Sequence, residues 1–182
     1  MKRLQLYYPV RPHAVNRPWG YEDPVYEQFG FTQHNGVDLD LVPGQKIHAP
    51  IGGSVVNAGD QPEGSGIFVS IISDDQYLFD DGISAYVLIE FFHCEKILVN
   101  IGDGVTIGQL IARGDTTGRA TGPHTHMQPR RVTMTKVPDA STPHAYRIHD
   151  ASCVLADLDT NDANNTFDPE PYWNQRYASA GN

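Results

Sequence analysis

The apolar residues of this sequence come in short runs, rich in β-branched and aromatic side chains and punctuated by glycine and proline. GIFVSIIS and SAYVLIEFFHC are the plainest cases. Runs of this kind fit strands rather than amphipathic helices, which need apolar residues at three- and four-residue spacing over several turns. GVDLDLV, KIHAPIGGSVVNAG, GVTIGQLIARG and PHTHMQP are further strand candidates. GVTIGQLIARG could also be read as a short helix, but its flanking glycines and its Val, Ile and Thr content favour a strand. No long amphipathic helix and no internal repeat is found. The chain of 182 residues is the length of one domain, and its 40% hydrophobic content is enough to fill a single core. The expectation is a mainly β domain over residues 1–182, a compact antiparallel barrel or sandwich with its core at about 10–173.

Two regions look like additions to that core. Ser73–Gly82, SDDQYLFDDG, is predicted as an acidic hairpin tip. Residues 135–165 read as a long loop or loosely structured lobe that borders a groove.

Charge excludes some functions. A formal charge of -9 and the absence of a basic run argue against a nucleic-acid surface, which needs clustered Lys and Arg. No segment has the length and apolarity of a membrane span. Residues 1–20 hold early positive charges but no apolar run or small-residue cleavage site, so synthesis in the cytoplasm without a signal peptide is expected. Cys94 and Cys153 could form at most one disulfide, and both are expected as free thiols.

Chemistry concentrates in two places. In ATGPHTHMQPR, His124 and His126 are two apart, so on a strand they project from one face. In QHNGVDLD, His34 and Asp38 are four apart and would also share a strand face, with Gly36 leaving room between them. Two histidines and a carboxylate from separate segments make a three-ligand set that leaves the fourth tetrahedral position of zinc to water. Either pair alone is more often a surface feature than a metal site. Asp40 shares the face of Asp38, while His13, His48, His144 and His149 have no spaced partner and read as surface or loop residues.

The context of these pairs carries a resemblance. FGFTQHNGVDLDLVPGQKIHAPIGGSVVNAG, FFHCEKILVNIGDGVTIGQLIARGDTTGRATGPHTHMQ and the closing FDPEPYW together resemble the lysostaphin-type and LytM-like zinc endopeptidases of peptidoglycan, from about Val10 to about Trp173. The resemblance implies that His34, Asp38 and His126 hold one zinc ion, and that His93 and His124 are catalytic histidines beside it. It leaves open which of the two moves the proton and which stabilises the oxyanion. The implied substrate is the peptide part of the bacterial wall, and the expected setting is a phage lysin or a virion-borne wall hydrolase acting after release. A non-catalytic module of the same fold, an amidase activator or a phage structural part, is the alternative. Phe92, Cys94, Met127 and Gln128 depart from the family's usual residues, which bears on contacts around the ligands and on substrate preference. Finally, Asp157, Asp159, Asn161 and Asp168 match the oxygen-ligand spacing of a calcium loop. Asp162 stands where that loop needs glycine, so a solvated acidic turn is the favoured reading there and calcium the alternative.

Overall fold

The computed structural model describes residues 2–136, 146–147, 153–157 and 166–177. Its strands are β1 (Lys2–Arg3), β2 (Leu6–Tyr8), β3 (Val15–Arg17), β4 (Val37–Asp40), β5 (Lys46–His48), β6 (Gly53–Gln61), β7 (Gly66–Ser73), β8 (Tyr77–Leu78), β9 (Ser84–Ile97), β10 (Gly104–Val105), β11 (Leu110–Gly114), β12 (His124–Lys136), β13 (Tyr146–Arg147), β14 (Cys153–Asp157) and β15 (Trp173–Tyr177). Helical structure among the described residues is limited to two 3-10 turns, Pro24–Phe29 and Glu170–Tyr172. The domain is mainly β, as expected.

Among the described residues, thirteen strands join in one branched sheet whose main path is β10-β6-β7-β9-β12-β14-β13, and β15 pairs with β2 in a small parallel ribbon. Apart from β1 with β8 and β2 with β15, the pairings are antiparallel. Period-two alternation sorts the long strands into two faces. Val87, Ile89 and Phe91 of β9, Met127 of β12, Val37 and Leu39 of β4, and Val69 and Ile71 of β7 pack in the main core. The opposite face is layered. Val56, Ile72, Leu88 and Val132 form a second apolar cluster. Beside it the same strands present Ser70, Glu90, Gln128 and Arg130, and then Phe68, Phe92, Asp38 and His126, all of which except Ser70 line one groove.

The sheet branches where that groove lies. Along β9, residues 86–91 pair with β12, whereas Cys94, Lys96 and Ile97 pair with β11. Between the two partners sits a bulge: Ile67 opposes Cys94 and Val69 opposes Phe91, so β9 holds one residue more than β7 across this gap. The extra residue shifts the alternation. Odd-numbered residues face the core up to Phe91, and then Cys94 does. His93 takes a left-handed φ of 61°, unusual for a side chain with a Cβ. Its backbone is held by two hydrogen bonds, one donated by its own N–H to the Ser65 carbonyl and one from the Asp115 N–H to its carbonyl.

Several expectations change in detail. GVTIGQLIARG is two strands, because Thr106–Gln109 closes a turn with Gly108 at φ 83°. Ser73–Gly82 is more than a hairpin tip, since Tyr77–Leu78 pairs with both β1 and β9. Within 135–165, β13 and β14 add to the edge of β12, so part of the expected loop is sheet. His34 precedes β4 rather than sharing a strand face with Asp38. Cys94 is a free, buried thiol, and burial pushes its pKa up to about 12, while the side chain of Cys153 lies outside the described residues.

Candidate metal centre and groove

The leading end of β12 parts from β9 at the bulge and pairs there with β4, in the register His124 to Asp40 and His126 to Asp38. This brings His34, Asp38 and His126 together. His34 Nε2 lies 3.0 Å from His126 Nδ1 and 3.2 Å from Asp38 Oδ1, and His126 Nδ1 lies 3.0 Å from the same carboxylate oxygen. All three residues are buried. Gly36 is what permits the approach. A Cβ there would sit 2.5 Å from the Met127 carbonyl oxygen and 2.7 Å from His126 Cε1 and Nε2.

The triangle fits a metal ion. Donors about 2.0–2.1 Å from a tetrahedral zinc are themselves about 3.3 Å apart, close to the spacing seen. The protonation pattern agrees. His34 Nδ1 lies 3.0 Å from the Pro18 carbonyl, an acceptor, so that nitrogen carries the proton and Nε2 of the neutral ring is a bare lone pair. That lone pair and the Asp38 carboxylate converge with His126 Nδ1 on one point, an arrangement of acceptors that a cation satisfies. Where the His126 and His34 rings carry at these nitrogens the protons that a metal ion would replace, burial works against the Asp38 charge and their hydrogen bonds and charges outweigh it, holding the carboxyl well below the usual range. Burial lowers His126, opposed by Asp38.

His93 and His124 stand beside this cluster with ring centroids 4.8 Å apart, and His124 Nε2 is 3.7 Å from Asp38 Oδ1. Their tautomers are set by backbone carbonyls: His93 Nδ1 donates to Thr117 O at 2.8 Å and His124 Nδ1 to Gly122 O at 2.8 Å. Each neutral ring thus has a bare Nε2. Burial pushes His93 down to about 4, with the Thr117 bond acting the other way. Gly66 and Gly118 are required around this support, for a Cβ on Gly66 would lie 2.4 Å from the Thr117 carbonyl oxygen and one on Gly118 2.3 Å from Gly66 N.

All five site residues expected from sequence are therefore brought together. Asp40 is exposed and accepts from Asn16 instead. His48 donates to the Pro9 carbonyl, and His13 stacks on Tyr8, both away from the cluster. Of the calcium set, Asp159, Asn161 and the Asp157 side chain lie outside the described residues, and Asp168 Oδ1 accepts from Glu170 N in its own turn. Of three further contributors, Phe92 carried a sequence signal, as a departure from the family's usual residue, while Tyr26 and Arg17 carried none. Phe92 stacks on His126 at 5.2 Å, Tyr26 stacks on His34 at 5.3 Å, and Arg17 reaches the Tyr26 hydroxyl at 3.4 Å.

The groove of about 990 Å³ extends from these rings to a polar floor. Glu90 and Gln128 oppose each other across β9 and β12. Arg130 Nε donates to Glu90 Oε2 at 3.0 Å, Ser70 Oγ to Glu90 Oε1 at 3.2 Å, and Asn35 Nδ2 to Gln128 Oε1 at 3.2 Å.

A mainly antiparallel sheet holding a His, Asp, His cluster beside two further histidines in a long groove has the make-up of a metal-dependent hydrolase. The chain belongs to peptidase family M23, whose model matches residues 32–138. Among curated proteins, the glycyl-glycine endopeptidase ALE-1 of Staphylococcus capitis is 32% identical over 95 residues, 52% of this chain and 24% of that protein. The murein hydrolase activator NlpD of Escherichia coli is 34% identical over 105 residues, 57% of this chain and 25% of that protein. The chain thus spans about a quarter of these relatives. The catalytic domain of lysostaphin from Staphylococcus simulans shares the fold, with a TM-score of 0.57 at 23% identity over 88% of this chain and 91% of that one. A zinc-containing peptidase from Vibrio cholerae aligns with a TM-score of 0.57 at 26% identity over 71% of this chain and 39% of that one.

Proposed function

We propose that this chain is a zinc-dependent endopeptidase that hydrolyses peptide bonds in bacterial peptidoglycan. The observation that carries the proposal is the convergence of His34 Nε2, Asp38 Oδ1 and His126 Nδ1 at 3.0–3.2 Å, beside two histidines with bare Nε2 atoms. His34, Asp38 and His126 would hold the ion, and a zinc ion held there lowers the pKa of a bound water toward neutrality and polarises a carbonyl. The groove would hold an extended peptide across this point. With Nδ1 already donating, a neutral His93 or His124 can only accept at Nε2, so whichever ring takes a proton becomes the donor that stabilises an oxyanion or passes the proton to the leaving amine. The ALE-1 and lysostaphin relatives support a wall-peptide substrate.

Zinc-loaded protein incubated with purified wall should release new amino groups without new reducing ends. His34→Ala and His126→Ala should lose the metal. His93→Ala and His124→Ala should keep it and lose about 10² to 10⁴ in turnover. A second reading, activation of another wall hydrolase, is favoured by the NlpD relative. Zinc-loaded protein that releases no amino groups yet stimulates an amidase would establish that reading instead.

A further inference from the structure

Away from the metal groove, the sheet carries a row of like charges. Lys46 of β5 stands opposite Arg113 of β11, and Arg113 stands opposite Lys96 of β9, so the three side chains leave one face of the sheet. Ile47, Ala112 and Ile97 make the adjoining row on the core side. Lys46 also lines a pocket of about 420 Å³ with Tyr8, Arg11, Gln45, His48 and Tyr177, none of which lines the metal groove. The Arg11 guanidinium lies over the Tyr177 ring, 4.3 Å from its centroid, and Gln45 Nε2 donates to the Arg11 carbonyl at 2.9 Å. His48 senses two of these cations: burial lowers its pKa most, and the charges of Lys46 and Arg11 add to that against the Pro9 bond. Among the described residues, no acidic side chain forms an ion pair with Arg11, Lys46, Lys96 or Arg113, although the chain holds 22 Asp and Glu against 13 Lys and Arg. Strand pairing does not account for the row, since like charges directly opposite each other destabilise a sheet. Lysines do guard open sheet edges. The outer side of β5 is closed already, however, by the His48 N–H donating to the Pro9 carbonyl at 2.9 Å and the Tyr7 N–H donating to the Pro50 carbonyl at 3.0 Å.

We propose that this row and its pocket bind a linear polyanion of the wall, a polyol chain linked by phosphodiesters, separately from the peptide in the metal groove. The choice of a wall polymer rests on the peptidase reading above; the site itself does not. Its shape supports a chain of charges. Adjacent strands lie about 4.8 Å apart, so the cations from Lys46 to Lys96 span about 10 Å. Arg11, in the segment that closes the outer side of β5, continues the line. A single phosphate would fill only part of that length. Lys and Arg offer successive phosphates charge-assisted bonds. Arg113 Nη1 donates to the Gly44 carbonyl at 2.7 Å, which leaves the rest of its guanidinium fork to an anion. The Tyr8 and Tyr177 rings give the carbon face of a polyol unit an apolar wall. The Tyr177 hydroxyl accepts from the His13 N–H at 3.2 Å, so its own proton remains to donate. A flat anionic bilayer would meet the row without using the pocket, whereas a flexible chain can enter it.

The test titrates the zinc-loaded full chain into a short fluorescent poly(glycerol phosphate) and follows its anisotropy. Saturable binding that weakens as salt rises is expected. Affinity should fall by at least about tenfold in Lys46→Gln/Lys96→Gln, where both side chains are exposed, and should be retained in Lys2→Gln/Arg3→Gln, which removes two exposed cations elsewhere. In the unaltered chain the polymer should also shield Lys46 and Lys96, but not Lys2, from acetylation read by mass spectrometry, a measurement that needs no variant to fold. The absence of saturable binding, the same affinity in both double variants, or acetylation of Lys46 and Lys96 unchanged by the polymer overturns the proposal. So does equal affinity for polyglutamate of the same charge, the behaviour of an unselective positive patch, or binding to phosphatidylglycerol vesicles and not to the polymer, the behaviour of a membrane surface. If the unaltered chain releases amino groups from wall but does not bind the polymer, this inference alone falls. If it binds the polymer but releases no amino groups, the peptidase reading falls and the site stands.

Discussion

Gly36→Ala is the most economical perturbation of the metal centre, because it changes no ligand and no charge. The added methyl carbon would meet the Met127 carbonyl oxygen at 2.5 Å and His126 Cε1 and Nε2 at 2.7 Å. Neither neighbour yields easily. Met127 is fully buried and paired with both Val37 and Phe91, and the His126 ring is stacked on Phe92 and packed edge-on against His34. Overpacking of this sort costs about 1–3 kcal/mol, against about 0.4–1 kcal/mol returned by the smaller chain entropy of alanine in the unfolded state. The net expectation is a metal-free protein destabilised by about 1–2 kcal/mol. Zinc affinity should fall further, since pushing the His126 ring opens a triangle whose edges are 3.0–3.2 Å. Disturbing the support of a metal ligand weakens binding by about 10- to 100-fold. Competition against a fluorescent zinc chelator measures the affinity directly, and thermal unfolding with and without zinc measures it through linkage. A 10- to 100-fold loss appears there as about 1.4–2.7 kcal/mol less zinc-dependent stabilisation. Gly104→Ala, where an added Cβ meets nothing within 4 Å, is the control and should behave as the unaltered protein does. Wild-type zinc affinity in Gly36→Ala would refute the claim that this glycine sets the approach of β12 to the His34 segment.

Two other perturbations test groups away from the metal. Cys94 is fully buried with its pKa raised to about 12, so the folded protein should resist iodoacetamide at neutral pH and react once unfolded; rapid native labelling at Cys94 by mass spectrometry would contradict its placement in the core. His13, stacked on Tyr8 at 3.8 Å and edge-on to Trp173 at 5.0 Å, is pushed by burial from an ordinary 6.5 down to about 4. Between those values the unfolded chain binds more protons than the native one, so the stability held above pH 6.5 should decline as pH falls toward 4. His13→Phe keeps the stacking without the titration and should flatten the decline; identical pH profiles in urea unfolding would exclude His13 as a source.

Many of the strand segments were legible because alternation survives wherever one face is core. GIFVSIIS became β7 at the expected bounds, and the strands around Asp38 and His126 lie where their patterns put them. The two ligand segments were legible for a related reason. On β12 the two-residue spacing of His124 and His126 is itself the geometry of the site, and it needs no knowledge of what lies opposite. His34 was found by its four-residue spacing from Asp38 together with the resemblance, while its position ahead of β4 was not read, since such a spacing does not say where a strand begins.

The bulge on β9 had no trace in the sequence, and the site depends on it. Uninterrupted alternation from Phe91 would give Phe92 to the groove and His93 to the core, leaving the candidate catalytic ring on the wrong side of the sheet. The residues FFHC contain no glycine to mark the extra position, and the left-handed φ falls on histidine itself. What holds that conformation comes from elsewhere in the chain: the Ser65 carbonyl and Asp115 N–H on its backbone, the Thr117 carbonyl on its ring, and Gly66 and Gly118 where no side chain fits. A bend of this kind is stored locally and stabilised by distant backbone groups, which carry no residue identity for a reader of sequence to recognise. The same bulge is where β9 exchanges β12 for β11 as its partner. One inserted residue thus opens the sheet, frees the leading end of β12 to pair with β4, and turns His93 toward the cluster that His34, Asp38 and His126 form.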